Sequence, residues 1–171
     1  KAGMEVVREQ ALDELGAVVV LRVPDGADIA AELEKLRALD PDGSYDFNHI
    51  YTGSSTLPPG AGGQPGAAGT GTGKPAHSPA SPAGESRAKI GLVDSGVDAG
   101  HAVFRDAGIR RWGCGGATHP APHGTAVAAL MVGQAAPFRG VAPSALLYAA
   151  DIYCDSATGG SADKIAGALA W

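Results

Sequence analysis

The stretch Lys89-Ile-Gly-Leu-Val-Asp94, followed at once by Ser95-Gly96, is the most informative local signal for the fold of this chain. Its short apolar run contains β-branched residues and predicts a strand over residues 90–93, buried on both faces of a parallel sheet. Ser95-Gly96 breaks the pattern, so Asp94 is expected at the carboxyl end of that strand. Ligands of open α/β sheets gather outside the carboxyl ends of the strands, which makes Asp94 a candidate functional acid.

A second informative stretch is His123-Gly-Thr-Ala-Val-Ala-Ala-Leu-Met-Val-Gly133. Pro120 and Pro122 exclude a helix on its amino-terminal side. Residues 124–133 are apolar nearly all round, which predicts a helix buried within a larger domain. His123 is therefore expected at or just before the amino-terminal end of this helix.

The order of these stretches points to a family. Asp-Ser-Gly follows an apolar strand, His-Gly-Thr opens an apolar helix, and Gly140-Val-Ala-Pro143 precedes another strand. The arrangement resembles the first part of a subtilisin-like serine peptidase, whose catalytic residues run Asp, His, Ser along the chain. The resemblance implies that Asp94 orients the imidazole and that His123 is the general base. It also implies a peptide or protein substrate and no cofactor.

The fold class that the resemblance implies is α/β. Residues 89–171 are expected to form an incomplete subtilisin-like parallel-sheet domain with helices on both faces. The family's Gly-Thr-Ser motif and oxyanion asparagine lie downstream of the matched region. The chain is therefore expected to be truncated before both of them and to be inactive by itself.

The first 51 residues predict a small α+β unit. Residues 17–23 form an apolar, β-branched run that predicts a strand, and Asp28 is a predicted cap for a helix. Residues 45–51 predict an edge strand, which gives a βαβ-like order, while residues 4–15 are compatible with either helix or strand. Helical spacing relates the apolar residues Ile29, Leu33, Leu36 and Leu39.

By its position, this unit resembles the prosegment of subtilisin-like proteases, which assists folding and inhibits the enzyme. The resemblance implies that the N-terminal unit acts as an intramolecular inhibitor, and that the complete enzyme cleaves the chain after Tyr51. A generic accessory domain is the alternative. Residues 52–88 are rich in Gly and Pro and contain no aromatic residue, which predicts a flexible linker that lets the unit dock or leave.

The C-terminal part contains further candidate site residues. Residues 145–153 predict the next strand, and Gly159-Gly160 lies where the family pairs substrate backbone with a strand edge; simple loop flexibility is the alternative. Ser161 is a predicted cap for a final helix with Ile165 and Leu169 on one face. Cys114 and Cys154 are expected in loops near the cleft, either as a disulfide or as two buried thiols.

The sequence does not favour a metal site. His119 and His123 have the spacing of a helical metal pair, but the intervening prolines remove the helix. Residues 131–141 lack the carboxylates of the calcium loop that many subtilisins carry there. His101 is expected to be a loop residue rather than a catalytic one.

Composition excludes several kinds of partner. The net charge of -5 and the absence of a Lys/Arg cluster give no electrostatic footprint for nucleic acid. No apolar run approaches the length of a membrane span, so no membrane partner is expected. The chain begins at Lys1 without an initiator Met or a secretory pattern, which suggests a processed or truncated N-terminus. Secretion or a periplasmic location is suggested by the family resemblance alone.

Two other functions remain open at the level of sequence. The first is a non-catalytic binding or regulatory chain that keeps the peptidase scaffold without the nucleophile. The second is a nucleotide-binding α/β protein that uses residues 94–96 on phosphate. The second is much weaker, because the chain lacks a Gly-rich loop with a lysine.

Overall fold

The computed structural model describes residues 3–53, 87–156 and 158–171. Its first part, which we call the N-terminal unit (residues 3–51), begins with an antiparallel hairpin and continues with a helix. The hairpin is formed by β1 (Glu5–Ala11) and β2 (Ala17–Arg22), and the helix is α1 (Ile29–Leu39). A two-residue strand, β3 (Ile50–Tyr51), ends the unit.

The order of elements in the N-terminal unit differs from the expected βαβ. Residues 5–11, which were compatible with either helix or strand, form β1, and Gly16 turns the chain back with a φ of +94°. The predicted edge strand shrinks to the two residues of β3 and does not join the hairpin. Within α1 only Leu33 is buried, whereas Ile29 and Leu39 are exposed. A unit this small has little surface to cover the outer turns of the helix.

The capping prediction for α1 is confirmed. Oδ1 of Asp28 accepts the backbone N–H groups of Ala30 and Ala31 at 2.9 and 3.2 Å. These two groups have no partner inside the helix, so the aspartate satisfies donors that would otherwise face water.

The second part contains a parallel three-stranded sheet and two helices. Its elements are β4 (Lys89–Asp94), β5 (Gly108–Trp112), α2 (Pro122–Val132), β6 (Gln134–Ala135), β7 (Phe138–Arg139), β8 (Leu146–Asp151), β9 (Gly160–Ser161) and α3 (Ala162–Ala170). The strand order in the sheet is β4-β8-β5, with all neighbours parallel. Asp94 pairs in register with Asp151, so both carboxylates lie at the carboxyl edge of the sheet.

The two helices pack against opposite faces of the central strand. Ala149 belongs to the core cluster that contains Val132 of α2, while Ala150 belongs to the cluster that contains Ala168 of α3. Neighbouring residues of a strand point to opposite faces, which explains the division. The structure is thus an α/β arrangement with a helix on each face of a parallel sheet.

One expectation about these helices was wrong. α2 is not buried all round, because the side chain of Leu130 is 61% exposed. Leu169 of α3 lies one helical turn after Ile165, as predicted, but its side chain is 72% exposed, whereas Ile165 packs with Ala168 against the sheet. The contacts of the two helices with the sheet include Ala128 and Val132 of α2 and Ile165 and Ala168 of α3, whereas Leu130 and Leu169 lie outside them.

The predicted linker lies mostly outside the described residues, which omit 54–86. Among the residues that are described, no helix is both long enough and apolar enough to cross a membrane.

Candidate active site

Asp94 and His123 lie side by side. β4 ends at Asp94, and α2 begins at Pro122, which occupies the first helical position and leaves His123 in the first turn. Nδ1 of His123 is 2.8 Å from Oδ1 of Asp94. A carboxylate only accepts hydrogen bonds, so Nδ1 carries the proton of the neutral ring and Nε2 is left as an acceptor. The side chains are 43% exposed for the histidine and 15% for the acid, so the ring is accessible from solvent.

Ser95 links the acid to the helix that carries the imidazole. Its backbone N–H and its hydroxyl donate to Oδ1 of Asp94 at 2.6 and 3.0 Å. Its Oγ also accepts the backbone N–H of Gly124 at 3.0 Å, which is a free donor in the first turn of α2. The hydroxyl therefore fixes the carboxylate and the start of α2 to each other.

Two glycines allow this close approach. A Cβ on Gly124 would lie 2.1 Å from the backbone oxygen of Ser95, and one on Gly96 would lie 2.0 Å from that of His119. The loop before α2 is held at the same place, because Ala121 N–H donates to the carbonyl of Gly96 at 2.9 Å. The Asp-Ser-Gly and His-Gly motifs thus meet backbone to backbone.

The edge strand β9 is covered by the chain's own N-terminal unit. Ile50 and Tyr51 of β3 pair antiparallel with Ser161 and Gly160. A Cβ on Gly159 would lie 2.3 Å from the carbonyl oxygen of Tyr51, so a glycine is needed for the extended segment to come this close. Gly159 and Gly160 therefore contact an extended peptide segment, as a substrate-binding edge would.

The contact continues at the start of α3. His49 accepts the backbone N–H of Ala162 at 2.9 Å through its carbonyl, and Oδ1 of Asn48 accepts the N–H of Asp163 at 3.2 Å. The predicted cap, Ser161, makes no capping hydrogen bond with its side chain. The N-terminal unit therefore supplies the acceptors for the first turn of α3, which sequence spacing alone had assigned to Ser161.

Asp163 is a buried acid that the sequence did not single out. Its side chain is 4% exposed, receives a hydrogen bond from Nδ2 of Asn48 at 2.9 Å and forms an ion pair with Arg8. Burial works against the charged form, but hydrogen bonds with Ser161 and Asn48 and the charge of Arg8 outweigh it and lower the pKa of this carboxyl. The position of Asp163 in the first turn of an amphipathic helix was the only local sequence signal for its role. Its partners Arg8 and Asn48 are 155 and 115 residues away in sequence.

Cys114 and Cys154 form a disulfide in this structure. It joins the loop after β5 to the loop after β8, close to Asp151 at the carboxyl edge of the sheet. These two cysteines and Asp151 are also near enough to one another to hold a metal ion, but the disulfide uses both sulfur atoms.

The other two candidate histidines lie outside the acid-imidazole pair. His119 contacts the carboxylate of Asp155, which belongs to the loop after Cys154. Nδ1 of His101 accepts the N–H of Val103 at 3.2 Å and caps a short helical turn at residues 102–104.

The chain is an α/β protein in which a parallel sheet is flanked by helices, and an acid at a strand end is hydrogen-bonded to an imidazole in a helix's first turn. The model of the subtilase family, peptidase S8, matches residues 85–171, about half of the chain. The chain belongs to this family. At the level of the family it is a subtilisin-type serine peptidase, and the family implies peptide or protein substrates. No curated protein and no solved structure matches the chain significantly.

Proposed function

We propose that this chain carries the acid and the base of a subtilisin-type serine endopeptidase. The single observation that supports it most is the 2.8 Å hydrogen bond between His123 Nδ1 and Asp94 Oδ1 at the carboxyl edge of the sheet. Asp94 holds the ring in the tautomer whose Nε2 accepts a proton, and His123 takes that proton from a serine hydroxyl as the hydroxyl attacks the scissile carbonyl.

The serine itself is expected elsewhere in the gene product, since these 171 residues contain no Gly-Thr-Ser motif. Ser95 is a poor substitute. Its Oγ is already engaged by Asp94 and Gly124, at 3.0 Å from each, on the acid's side of the imidazole. A nucleophile has to lie in line with a substrate carbonyl and beside Nε2, on the other side of the ring.

The proposed substrate lies as an extended strand along β9. The pairing of Ile50 and Tyr51 with Ser161 and Gly160 supports this role, because main-chain hydrogen bonds to a strand edge are independent of the side chains of the bound peptide. The glycines at 159 and 160 admit a peptide backbone at close range. Side-chain preference then depends on pockets beyond these residues.

The N-terminal unit is proposed to act as the intramolecular inhibitor of this site. It lies on the strand edge that a substrate would use, and the ion pair between Arg8 and Asp163 holds it to α3. Cleavage is proposed after Tyr51, the last residue of β3, with residues 52–88 as the segment that lets the unit leave. The mature protein would then begin at Thr52, as N-terminal sequencing can establish. A mature N-terminus upstream of Tyr51, or deep within residues 54–86, would contradict the proposed processing site.

A fluorophosphonate label tests the peptidase proposal. The label is applied to the purified chain from Lys1 to Trp171 and to a longer product of the same gene that carries a serine motif. We expect a specific serine adduct in the longer protein alone, lost in its His123→Ala variant and kept in a His101→Ala control. A specific adduct in the 171-residue chain would refute the proposed division of roles.

One observation favours a second candidate, a binding chain without catalysis. The strand edge at β9 holds an extended segment by backbone pairing, and this pairing needs neither the acid nor the imidazole. The same experiment discriminates, because a longer protein that binds peptide at this edge and takes no label would be a binding protein.

A further inference from the structure

The disulfide between Cys114 and Cys154 lies at the carboxyl edge of the sheet, beside Asp151. Cys114 follows β5, the strand next to β8, and Cys154 begins the loop that leads from β8 to the strand edge at Gly160. Both sulfur atoms pack against the carbonyl oxygen of Asp151, at 3.7 and 3.5 Å. The disulfide thus ties the loop before the substrate edge to the carboxyl end of the sheet.

The backbone around this disulfide adopts a conformation that side chains disfavour. Among the described residues, four other than glycine have a positive φ, and three of them are Cys114, Cys154 and Asp155, at +54°, +51° and +59°. Residues with a Cβ rarely occupy this region unless their surroundings impose it. The covalent link between the two cysteines is an evident restraint of this kind.

Hydrogen bonds also hold this loop, including those from Ser156 N–H to the carbonyl of Tyr153 at 2.8 Å and from Gly159 N–H to the carbonyl of Ser156 at 3.3 Å. Oδ1 of Asp151 accepts the N–H groups of Tyr153 and Cys154, each at 3.0 Å, which fixes only the first turn. Further along, Asp155 contacts His119, four residues before His123.

Two glycines, Gly159 and Gly160, end this loop in close contact with their neighbours. Gly159 has a φ of +104° and lies against the carbonyl of Tyr51, and Gly160 is buried against Ile152. Gly159 and Gly160 follow residues 154–155 along the same connection between β8 and α3.

We propose that the Cys114–Cys154 disulfide positions the substrate edge, and that a dithiol reductant lowers the affinity of this edge for extended peptide without disturbing the Asp94–His123 pair. In the reduction the dithiol attacks one cysteine sulfur, passes through a mixed disulfide and closes to its own cyclic disulfide. Two electrons and two protons go to the protein, which gains two thiols. This inference rests on the proposed function of Gly160 and its neighbours as the peptide edge.

Amide hydrogen exchange on the chain from Lys1 to Trp171 tests the inference, because its own β3 occupies the edge. The chain is compared oxidised and after reduction with dithiothreitol and alkylation of both thiols. We expect exchange in residues 50–51 and 159–162 to become at least about tenfold faster, as for a local opening, while the amides of β4 keep their rates. Unchanged exchange at the edge after complete alkylation would overturn the inference. An equal acceleration in β4 would also overturn it, because the disulfide would then support the fold as a whole.

A Cys114→Ser/Cys154→Ser double variant provides the matched control. It should reproduce the fast exchange at the edge and show no further response to dithiothreitol. A double variant with the oxidised chain's slow exchange would overturn the inference even if reduction had an effect. In a longer product that takes the fluorophosphonate label, reduction should raise KM several-fold and leave kcat unchanged. This is the result expected when binding of the substrate and of the transition state is weakened equally. A fall in kcat with KM unchanged would count against it.

These readouts separate the inference from the proposed function. If the peptidase function is wrong, no serine takes the label, whereas edge exchange still responds to reduction. If only the positioning role is wrong, labelling persists and edge exchange is insensitive to the disulfide.

Discussion

Replacing Asn48 with alanine should loosen the N-terminal unit from α3 and leave the rest of the chain folded. Asn48 exchanges two hydrogen bonds with Asp163, one to its carboxylate at 2.9 Å and one from its backbone N–H at 3.2 Å. An open pocket of about 390 Å³ lies beside this contact, and β2, α1, residues 44–48 and the start of α3 line it.

The magnitude follows from the burial of the two partners. A hydrogen bond to a charged group contributes about 1.5–3 kcal/mol and a neutral one about 0.5–1.5 kcal/mol. Asn48 is exposed, which favours the lower end of each energy range. The carboxylate of Asp163 that accepts its hydrogen bond, however, is only 4% exposed. We expect a loss of about 2 kcal/mol in docking, or about a thirtyfold change in the docking equilibrium.

Amide exchange of residues 161–164 measures this loss. The matched control is His49→Ala, which removes a neighbouring side chain but keeps the carbonyl that accepts the N–H of Ala162. The control should exchange like the natural chain, and Asn48→Ala should exchange about thirtyfold faster in the first turn of α3. Equal protection in both variants would refute the idea that Asn48 caps this helix from outside.

Three further predictions concern the same structure. Because interactions in the docked state lower the pKa of Asp163 below its ordinary value of 3.8, docking should be fully present above that pH and be lost as the pH falls through the lower value, as exchange in α3 would record. Ser95→Ala should destabilise the chain by about 2 kcal/mol in urea unfolding, because it leaves the N–H of Gly124 without its acceptor and removes a donor to the acid. In a longer product that takes the serine label, Asp94→Asn should lower kcat by about 10⁴-fold, because the wrong tautomer of His123 is then favoured.

Each of these predictions has a control. In an Asp163→Asn variant, docking should no longer weaken as the pH falls. If docking in this variant still depended on pH as in the natural chain, the pH dependence could not be assigned to Asp163. Ser144→Ala removes an exposed hydroxyl that makes no hydrogen bond among the described residues and should unfold like the natural chain. The control for Asp94→Asn is an Asp98→Asn variant, which alters a nearby exposed carboxylate. An equal fall in kcat in the Asp98→Asn variant would contradict a specific role for Asp94.

The sequence by itself identified the elements that carry the candidate site. The apolar run before Asp94 ends at a Ser-Gly pair, and the apolar stretch after His123 begins behind two prolines. These are local signals, because strand and helix patterns and their breakers act within a few residues. They located a strand end and a helix start, and a family resemblance connected the two.

The contacts between these elements, and the segments that cover them, became visible only in the tertiary structure. The 2.8 Å contact of Asp94 with His123 depends on a backbone approach at Gly124 that spacing does not reveal. Residues 45–51 were expected to form an edge strand of a βαβ-like unit, but only β3 forms and it pairs with β9, since a two-residue strand has no periodicity to mark its partner. The burial of Asp163 under Arg8, 155 residues away, likewise has no local signature. Contacts of this kind depend on the whole chain's path, which is why local patterns predict the elements but not their partners.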